Sequence, residues 1–290
     1  MPAPPTFPDV YVAEALSGGR TITGVSTSIT LFVGWAPRGP VDRAVPTTSF
    51  VEYQRTFGDL DPRTPLGHAV KQFYDNGGSD AYIVRVVAAG CASSTAAIGD
   101  IALTASSPGL WGNGYAVRTS REPAPDDTLF KLDVLDRNNG DGVVESFHKL
   151  SPRADDARFA ASLVNGASAF VTVNVSSGVS PGDTTANLEG GADSAVLTPG
   201  SAHFHAALAD AIAVGSIVDQ IELFSLVCVP AETDPAVLAA LQTRCREWRA
   251  FLIADSDPSK SVSDYSAGAP SSLTGSDAMN CALYFPWVRG

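Results

Sequence analysis

Near-continuous runs of apolar residues recur towards both ends of the chain. Two lie in the first third, at 28–36 (SITLFVGWA) and 81–87 (AYIVRVV). Three lie in the last third, at 221–230 (IELFSLVCVP), 249–258 (RAFLIADSDP) and 280–289 (NCALYFPWVR). Apolar runs of this length, with little polar alternation, predict β-strands that are covered on both faces, as in a parallel sheet.

Helices are predicted between these strands. Ser49 and Glu52 have the S-x-x-E spacing of a capping box, and Thr64-Pro65 begins a second helix. Two further helices are predicted over 203–216 and 232–248. The second helix has one apolar face, formed by Leu66, Ala69, Val70, Phe73 and Tyr74. The order strand–helix–strand, with fully apolar strands, predicts parallel pairing in a layered α/β core.

The middle of the chain has a different pattern. Residues 130–150 (FKLDVLDRNNGDGVVESFHKL) alternate with period two around a Gly-containing loop, which predicts a β-hairpin. A short helix is predicted over 155–168, and a strand over 169–175 (AFVTVNV). Residues 176–200 are rich in Ser, Gly, Thr and Asp, which predicts an exposed loop.

The predicted fold class is therefore α/β, in three parts. Residues 23–101 and 203–290 form a layered core with mainly parallel buried strands. Residues 102–202 form a smaller β-rich inserted domain, and residues 1–22 form an extended N-terminal arm. The insert is expected to fold as a compact unit, without direct pairing between its 130–136 strand and the core strand at 250–256.

Composition and charge narrow the function classes. The chain has 290 residues and a net charge of −12, with 31 acidic and 19 Lys or Arg residues. No basic cluster is present to neutralise phosphates, so nucleic-acid binding is not expected. The apolar runs are shorter than the roughly 18–20 residues of a membrane helix, so no membrane insertion is expected. The N-terminus lacks the basic and apolar regions of a secretory signal.

Four cysteines are widely spaced and form no C-x-x-C pair. This pattern favours buried free thiols in a cytosolic protein, because metal and redox sites usually need closely spaced cysteines. The four residues are Cys91, Cys228, Cys245 and Cys281.

One pair of carboxylates has the position of a catalytic site. Asp255 and Asp257 follow an apolar strand, where α/β enzymes place nucleophiles, and the pattern resembles the phosphotransferase motif of haloacid-dehalogenase enzymes. That chemistry also needs a downstream lysine and an acidic pair for magnesium. Lys260 is the only later lysine, and Asp264 and Asp277 are isolated. The favoured interpretation is a capped strand end.

Two further patterns point weakly to metal ions. The segment DRNNGDGVVE resembles a calcium loop but lacks EF-hand spacing, so a hairpin turn is favoured. Its oxygen-bearing residues are Asp136, Asn138, Asp141 and Glu145. His203 and His205 would diverge on a helix, without a third ligand in register. No phosphate-binding glycine motif occurs, and neither a metal nor a cofactor is predicted.

An ordered set of landmarks along the chain resembles the contractile phage tail sheath proteins and their relatives in bacterial contractile injection systems. The first is the N-terminal order of extended leader, buried strand, Gly-Pro turn, two helices and second strand. The later ones are SSPGLWGNGYAV, the hairpin with its following helix, FSLVCVPAETD, CREWRAFLIADSD and ALYFPWVR. They occur in the family's order and span essentially the whole chain.

The resemblance implies a structural subunit and not an enzyme. Such subunits polymerise helically around an inner tube and shorten to drive it through a target envelope. The implied partners are other sheath protomers, together with tail tube and baseplate proteins in the full-length form. The implied location is the bacterial cytoplasm during assembly, and then a phage tail, tailocin or injection-system particle. The alternatives are a phosphoryl-transfer enzyme using Asp255 and Asp257, or a surface or baseplate binding module using the β-rich insert.

The resemblance also implies a departure at the C-terminus. Family members continue beyond the YFPWVR landmark into a region that contacts the tube and carries a C-terminal arm, whereas this sequence stops at Gly290. A truncated form, a fragment or a short paralogue would each explain this. The 290-residue form is therefore expected not to build ordered contractile sheaths around a tube.

The N-terminal arm is predicted to add a strand to a neighbouring subunit. Prolines at positions 2, 4, 5 and 8 disfavour helix and central-strand structure. The residues that follow alternate, which suits an edge strand, and Gly18-Gly19 would be its hinge. An ordinary frayed terminus is the alternative. The residues predicted to exchange are Val10, Tyr11, Val12, Ala13 and Glu14.

Overall fold

The computed structural model describes residues 28–123, 128–195, 197–266, 268, 270, 273 and 275–287. Its strands are β1 (Thr30–Gly34), β2 (Val45–Thr47), β3 (Ala81–Arg85), β4 (Thr95–Ile98), β5 (Ile101–Ala105), β6 (Tyr115–Arg121), β7 (Phe130–Asp136), β8 (Gly142–Leu150), β9 (Val171–Val175), β10 (Thr184–Asn187), β11 (Leu226–Cys228), β12 (Phe251–Asp255) and β13 (Cys281–Tyr284). Its α-helices are α1 (Phe50–Phe57), α2 (Leu66–Asp75), α3 (Ala160–Asn165), α4 (Ala202–Ile212), α5 (Pro235–Trp248) and α6 (Val262–Tyr265). Short 3-10 turns cover Leu110–Gly114, Arg137–Asn139, Ile217–Gln220 and Asp277–Asn280.

The apolar runs at both ends of the chain form one six-stranded sheet in the order β13-β12-β11-β1-β3-β2. All neighbours pair in parallel except β2, which is antiparallel to β3. The α/β prediction with a parallel sheet is therefore confirmed. Among the helices of the described residues, none is both long and apolar enough to cross a membrane.

Both faces of this sheet are covered, which explains the continuous apolar strands. On β1, Leu31 and Val33 pack on one side, in a cluster with Phe204 of α4 and Leu241 of α5. Phe32 points to the opposite side and joins a cluster with residues of α1 and α2. Because every side chain of β1 is buried, the strand has no polar face. Each such aliphatic or aromatic side chain contributes roughly 1.5–3 kcal/mol on burial.

The first two helices begin where the sequence predicts, through different contacts. The Ser49 hydroxyl accepts a hydrogen bond from the Glu52 amide at 3.3 Å. The Glu52 carboxylate, however, accepts from the amide of Thr48 at 2.7 Å, one residue before the expected capping-box partner. At α2, the Thr64 hydroxyl accepts from the Leu66 amide and donates to the Trp35 carbonyl, so this cap also ties the helix to the end of β1.

Two antiparallel sheets lie between β3 and β11 in the chain. One has four strands in the order β10-β6-β7-β8, and the other has three in the order β4-β5-β9. The predicted hairpin is confirmed as β7 and β8, and its turn is closed by the Asp136 carboxylate, which accepts from the Asn138 amide at 2.9 Å. Strand β7 pairs with β6 and β8 and not with β12. The division into domains at residues 102 and 202 stays a prediction.

The prediction of an exposed loop over 176–200 is wrong in part. Residues Thr184–Asn187 form β10, which pairs with β6, and Leu188 is buried in the core of the antiparallel sheets. Further on, Ala192 forms an isolated bridge with Ala92. The high Ser, Thr and Gly content obscures this strand in the sequence, because its side chains are mostly exposed and its apolar contacts are limited to Ala186 and the adjoining Leu188.

A cross-strand polar cluster covers the outer face of the four-stranded sheet. Asp133 on β7 lies in register with Arg118 on β6 and Ser146 on β8. Its carboxylate accepts from Arg118 at 2.8 Å, from Ser146 at 2.7 Å and from Lys131 at 3.0 Å. Burial raises the pKa of Asp133, but these hydrogen bonds outweigh it and hold the pKa below the ordinary value.

Replacing Asp133 with Asn is expected to destabilise the protein at neutral pH by on the order of 2 kcal/mol, since three charged or polar donors lose a charged acceptor. A depressed carboxyl pKa contributes stability above the unfolded-state pKa of about 3.9 and loses it as the pH falls through the folded-state value. The difference in the free energy of unfolding between D133N and wild type should therefore become smaller below about pH 4. Denaturant unfolding at several pH values measures it. Asp155→Asn, which removes an exposed pair with Arg153, is the control and should show a much smaller difference from wild type at every pH.

Candidate functional site at the junction of the sheets

The residues predicted to exchange between subunits are not among those that the structure describes. This holds for Val10, Tyr11, Val12, Ala13 and Glu14, and for the hinge residues Gly18 and Gly19. Their roles stay predictions. What the structure does describe is the set of sheet edges on which such a strand could be received.

Among the described residues, β13 forms one edge of the six-stranded sheet. Within the described part of the chain, β13 pairs only with β12. Large apolar side chains lie exposed beside it: Met279 is 78% exposed, Tyr284 59% and Trp287 43%. The Trp287 indole is held by a hydrogen bond to the Ser256 carbonyl at 2.6 Å. An edge strand that is unpaired on one side and lies next to exposed aromatic side chains is a typical acceptor for an added strand.

The opposite edge of the sheet, formed by β2, is poorly suited to receive an added strand. Strand β2 has only three residues, and Pro46 at its centre has no amide hydrogen to donate. The end at β13 is thus the better acceptor of the two.

The carboxylates at the end of β12 have local structural roles. The Asp255 side chain accepts from the Ala231 amide at 2.7 Å, which ties β12 to the loop after β11. Burial raises the pKa of Asp255. The Asp257 side chain accepts from the amide and hydroxyl of Ser259, and these hydrogen bonds lower its pKa. Both residues therefore behave as the favoured interpretation expects, as caps of a strand end.

A cleft of about 410 Å³ lies beside these carboxylates, with Lys260 and Asp264 in its lining. The Asp264 carboxylate is engaged by the amide and hydroxyl of Ser261, as the cap of α6. Among the described residues, no group of three His, Cys, Asp or Glu side chains is placed to hold a metal ion. His203 is exposed, whereas His205 Nε2 lies 3.2 Å from a Glu232 oxygen, so the two histidines do not converge.

Glu232 is a buried anchor that the sequence pattern did not reveal. Its side chain is fully buried. It accepts hydrogen bonds from the amides of Gly200, Thr233 and Asp234 at 2.8–3.0 Å. These contacts fix the start of α5 to the segment before α4. A carboxyl group two residues before the Asp234 helix cap is the signal that could have identified it.

Three of the four cysteine thiols have raised pKa values. Cys245 is buried, and the other three cysteines are half-buried, less than the sequence pattern predicts for Cys228 and Cys281. Burial raises the pKa of Cys228 and of Cys245 to about 12, and that of Cys281 to about 11. Because the thiolate is the nucleophile, these three side chains are poor candidates for catalysis.

The most unusual polar group is Arg85, which joins the parallel sheet to the antiparallel sheets. It ends β3 and is only 2% exposed. Its guanidinium donates to four carbonyl oxygens: Ala36 at 2.7 Å, Gly39 at 2.9 Å, Pro37 at 3.1 Å and Pro108 at 2.9 Å. Burial lowers the pKa of Arg85 to about 10, so it remains protonated at neutral pH.

Arg85 therefore fastens two separate segments. The first is the loop 36–39 after β1, and the second is the turn 107–113 after β5. A second bond joins them directly, since the Gly39 amide donates to the Ser107 hydroxyl at 3.0 Å. Gly39 has a φ of +111°, and a Cβ there would lie 2.5 Å from the Phe57 ring, so the loop requires glycine.

The segment 191–193 also contacts the turn 107–113. Asn113 accepts from the Gly191 amide and donates to the Gly191 carbonyl, both at 2.9 Å. Asp193 accepts from the Leu110 amide at 2.9 Å and lies 3.8 Å from Arg63. We use "junction" for the contacts among 36–39, 107–113, 191–193 and Arg85. The Ser107 hydroxyl and the Asp193 carboxylate within it are both engaged by backbone amides. The junction ties Arg85, where the first crossing between the sheets begins, and Gly191, in the second crossing, to the turn 107–113.

The fold is similar to solved structures of sheath tail proteins. That of Listeria innocua aligns with a TM-score of 0.57 and 14% identity, over 81% of this chain and 49% of its own. That of Desulfitobacterium hafniense aligns with a TM-score of 0.54 and 16% identity, over 88% of this chain and 53% of its own. The helical sheath of the anti-feeding prophage, in its contracted state, gives a TM-score of 0.38 at 16% identity, over 97% of this chain and 46% of its own.

The chain spans about half the length of each of these proteins. No protein-family model matches the sequence, and no curated protein matches it. The two alignments with TM-scores above 0.5 carry the assignment of fold. The chain has the fold of the sheath tail proteins, and the resemblance predicted from its sequence is confirmed at that level.

Proposed function

We propose that this protein is a structural subunit of a contractile tail sheath. The observation that supports the proposal most strongly is the shared fold with two sheath tail proteins over more than four fifths of the chain. The sequence landmarks, read independently, point to the same family. In this role copies of the full-length gene product polymerise helically around an inner tube, in a phage tail, tailocin or injection-system particle.

Strand exchange supplies the connection between copies. The arm of one subunit, through Val10–Glu14, adds to an open sheet edge of its neighbour, and Gly18-Gly19 lets it swing while the bodies move. The open β13 edge and its exposed aromatic side chains support this assignment. Main-chain hydrogen bonds supply affinity in such pairing without requiring a particular side chain at each position.

Within each subunit, the proposed core (23–101 and 203–290) and the proposed insert (102–202) move as one body. The junction supports this, because Arg85 and Asn113 tie both crossings between the sheets. A change of a few kcal/mol at each interface then sums over many copies into a large driving force for contraction. Tube and baseplate proteins are the other proposed partners.

The hydrogen bonds of the described carboxylates do not favour the phosphoryl-transfer alternative. Both Asp255 and Asp257 are engaged by backbone amides, and the carboxylate of Asp264 caps its own helix. The chain is proposed not to be an enzyme. A binding module at the baseplate is distinguished from a sheath by where the protein lies on the particle.

Electron microscopy of antibody-labelled particles from the producing bacterium tests the proposal. We expect this protein along the whole length of the tail shaft. Label restricted to one end of the shaft would support a baseplate module instead.

A further inference from the structure

A basic cleft of about 540 Å³ lies on the surface between loop 37–43, the end of α1 and the turns 106–108 and 168–169. Three arginines line it, Arg38, Arg43 and Arg55, against one carboxylate, Asp42. Ser106 and Ser107 also line it. This concentration of positive charge is unusual in a chain with a net charge of −12.

The guanidinium groups of the cleft have unused hydrogen-bonding capacity. Among the described residues, the Arg43 guanidinium forms an ion pair only with the neighbouring Asp42 carboxylate, at 3.7 Å. Both side chains are mostly exposed, so the pair is weak. The Arg55 side chain makes no hydrogen bond to a described residue, although its charge acts on Glu52, one turn earlier. Glu52 is itself engaged by Thr48.

Arg38 is held in place while keeping donors free. One of its terminal nitrogens donates to the carbonyls of Gln54 and Arg55, which caps the end of α1. Its guanidinium lies 5.1 Å from the centre of the Phe170 ring. The other terminal nitrogen, Nη1, makes no hydrogen bond to a described residue, whereas Nε is buried. Because Arg has five N–H donors, a fixed guanidinium with a free terminal nitrogen can bind a further anion.

We propose that this basic cleft binds an acidic surface segment of a neighbouring copy of the same chain. The inference rests on the proposed function, in which identical subunits lie side by side. A neighbour with 31 acidic residues against 19 Lys or Arg carries an excess of carboxylates. Copies that each carry −12 repel one another, so contacts between them require local charge complementarity. Arg–carboxylate pairs supply this with bidentate geometry.

The test is the double charge reversal Arg43→Glu with Arg55→Glu in the full-length gene product. Both side chains are exposed, so the thermal midpoint of the isolated protomer should fall only slightly, through the loss of the positive charge that Arg55 places in the last turn of α1. The concentration needed for polymerisation should rise by about tenfold or more, equivalent to at least about 1.4 kcal/mol per contact. Sedimentation of polymers against total protein measures it.

The matched control is Arg121→Glu with Arg153→Glu. These side chains are exposed and lie outside the cleft, yet they change the net charge by the same amount. Unchanged assembly by the control and loss by the cleft variant would support the proposal. Equal effects of both variants would overturn it, because net charge alone would then explain the result. If wild type forms no polymer, the proposed sheath function is wrong. This outcome differs from polymers that form equally well in the cleft variant, which would overturn only the role of the basic cleft.

A photo-crosslinking amino acid in place of Arg43 identifies the occupant. We expect adducts of two copies of this chain, with the crosslink in a peptide rich in Asp and Glu. Crosslinks only to a different protein, or to no protein in assembled particles, would overturn the assignment.

Discussion

Replacing Arg85 with Ala should lower the thermal midpoint by about 8 °C, from a loss of about 4 kcal/mol. The change deletes a fully buried guanidinium that donates to four carbonyl oxygens. Those oxygens would remain in the interior without their donors, and each unsatisfied buried acceptor costs about 1–3 kcal/mol before the structure relaxes. Differential scanning calorimetry measures the effect.

Two other variants separate geometry from charge. Arg85→Lys keeps the charge but has three donors from a single nitrogen, so it should recover only part of the loss. Arg137→Ala, which removes an exposed side chain with one hydrogen bond to Asn113, should lie within about 0.5 kcal/mol of wild type. A midpoint for Arg85→Ala as close to wild type as that of Arg137→Ala would show that the junction contributes little stability.

Deleting residues 1–17 from the gene in the producing bacterium should abolish sheath polymers while leaving the protomer folded. The deletion removes the predicted exchanging strand, Val10–Glu14, and the prolines before it. The six-stranded sheet and both antiparallel sheets are built from described residues after 27, so the thermal midpoint should change by less than about 2 °C. Sedimentation and negative-stain microscopy report assembly, and circular dichroism reports folding.

A proline substitution distinguishes the loss of strand pairing from the shortening of the arm. Tyr11→Pro with Ala13→Pro removes two main-chain donors in the exchanging segment without shortening the arm. It should match the deletion, whereas Tyr11→Ala with Ala13→Ser should assemble normally. Normal polymers from the deleted form would rule out a role for the arm in connecting subunits.

Much of the core could be predicted because β1 and β3 are buried on both faces. Leu31, Phe32 and Val33 are consecutive and apolar, and only a covered strand requires that pattern. The helix starts were equally local signals, since Ser49 and Thr64 act on amides two or three residues away. Local chemistry determines both features, so one sequence suffices.

The junction could not be predicted, because its partners are distant in the chain. Three of the carbonyls that Arg85 contacts belong to residues that precede it by 46 to 49 positions. The fourth belongs to a residue that follows it by 23 positions. In the sequence it stands inside an apolar run, and a charged residue there must find buried acceptors. That signal indicates a polar contact but not its location. Leu188 was missed for a related reason, since the burial of one apolar residue in a polar segment depends on a sheet built elsewhere.

Labelling of intact particles tests whether this protein is a repeating subunit of a contractile tail sheath. Particles from the producing bacterium are decorated with gold-coupled antibodies raised against residues 28–287 and imaged before and after contraction. We expect gold at regular intervals along the whole shaft, with the labelled length shortening on contraction while the inner tube stays unlabelled. Gold confined to the baseplate, the tube or the head, or absent from tailed particles altogether, would exclude a sheath subunit.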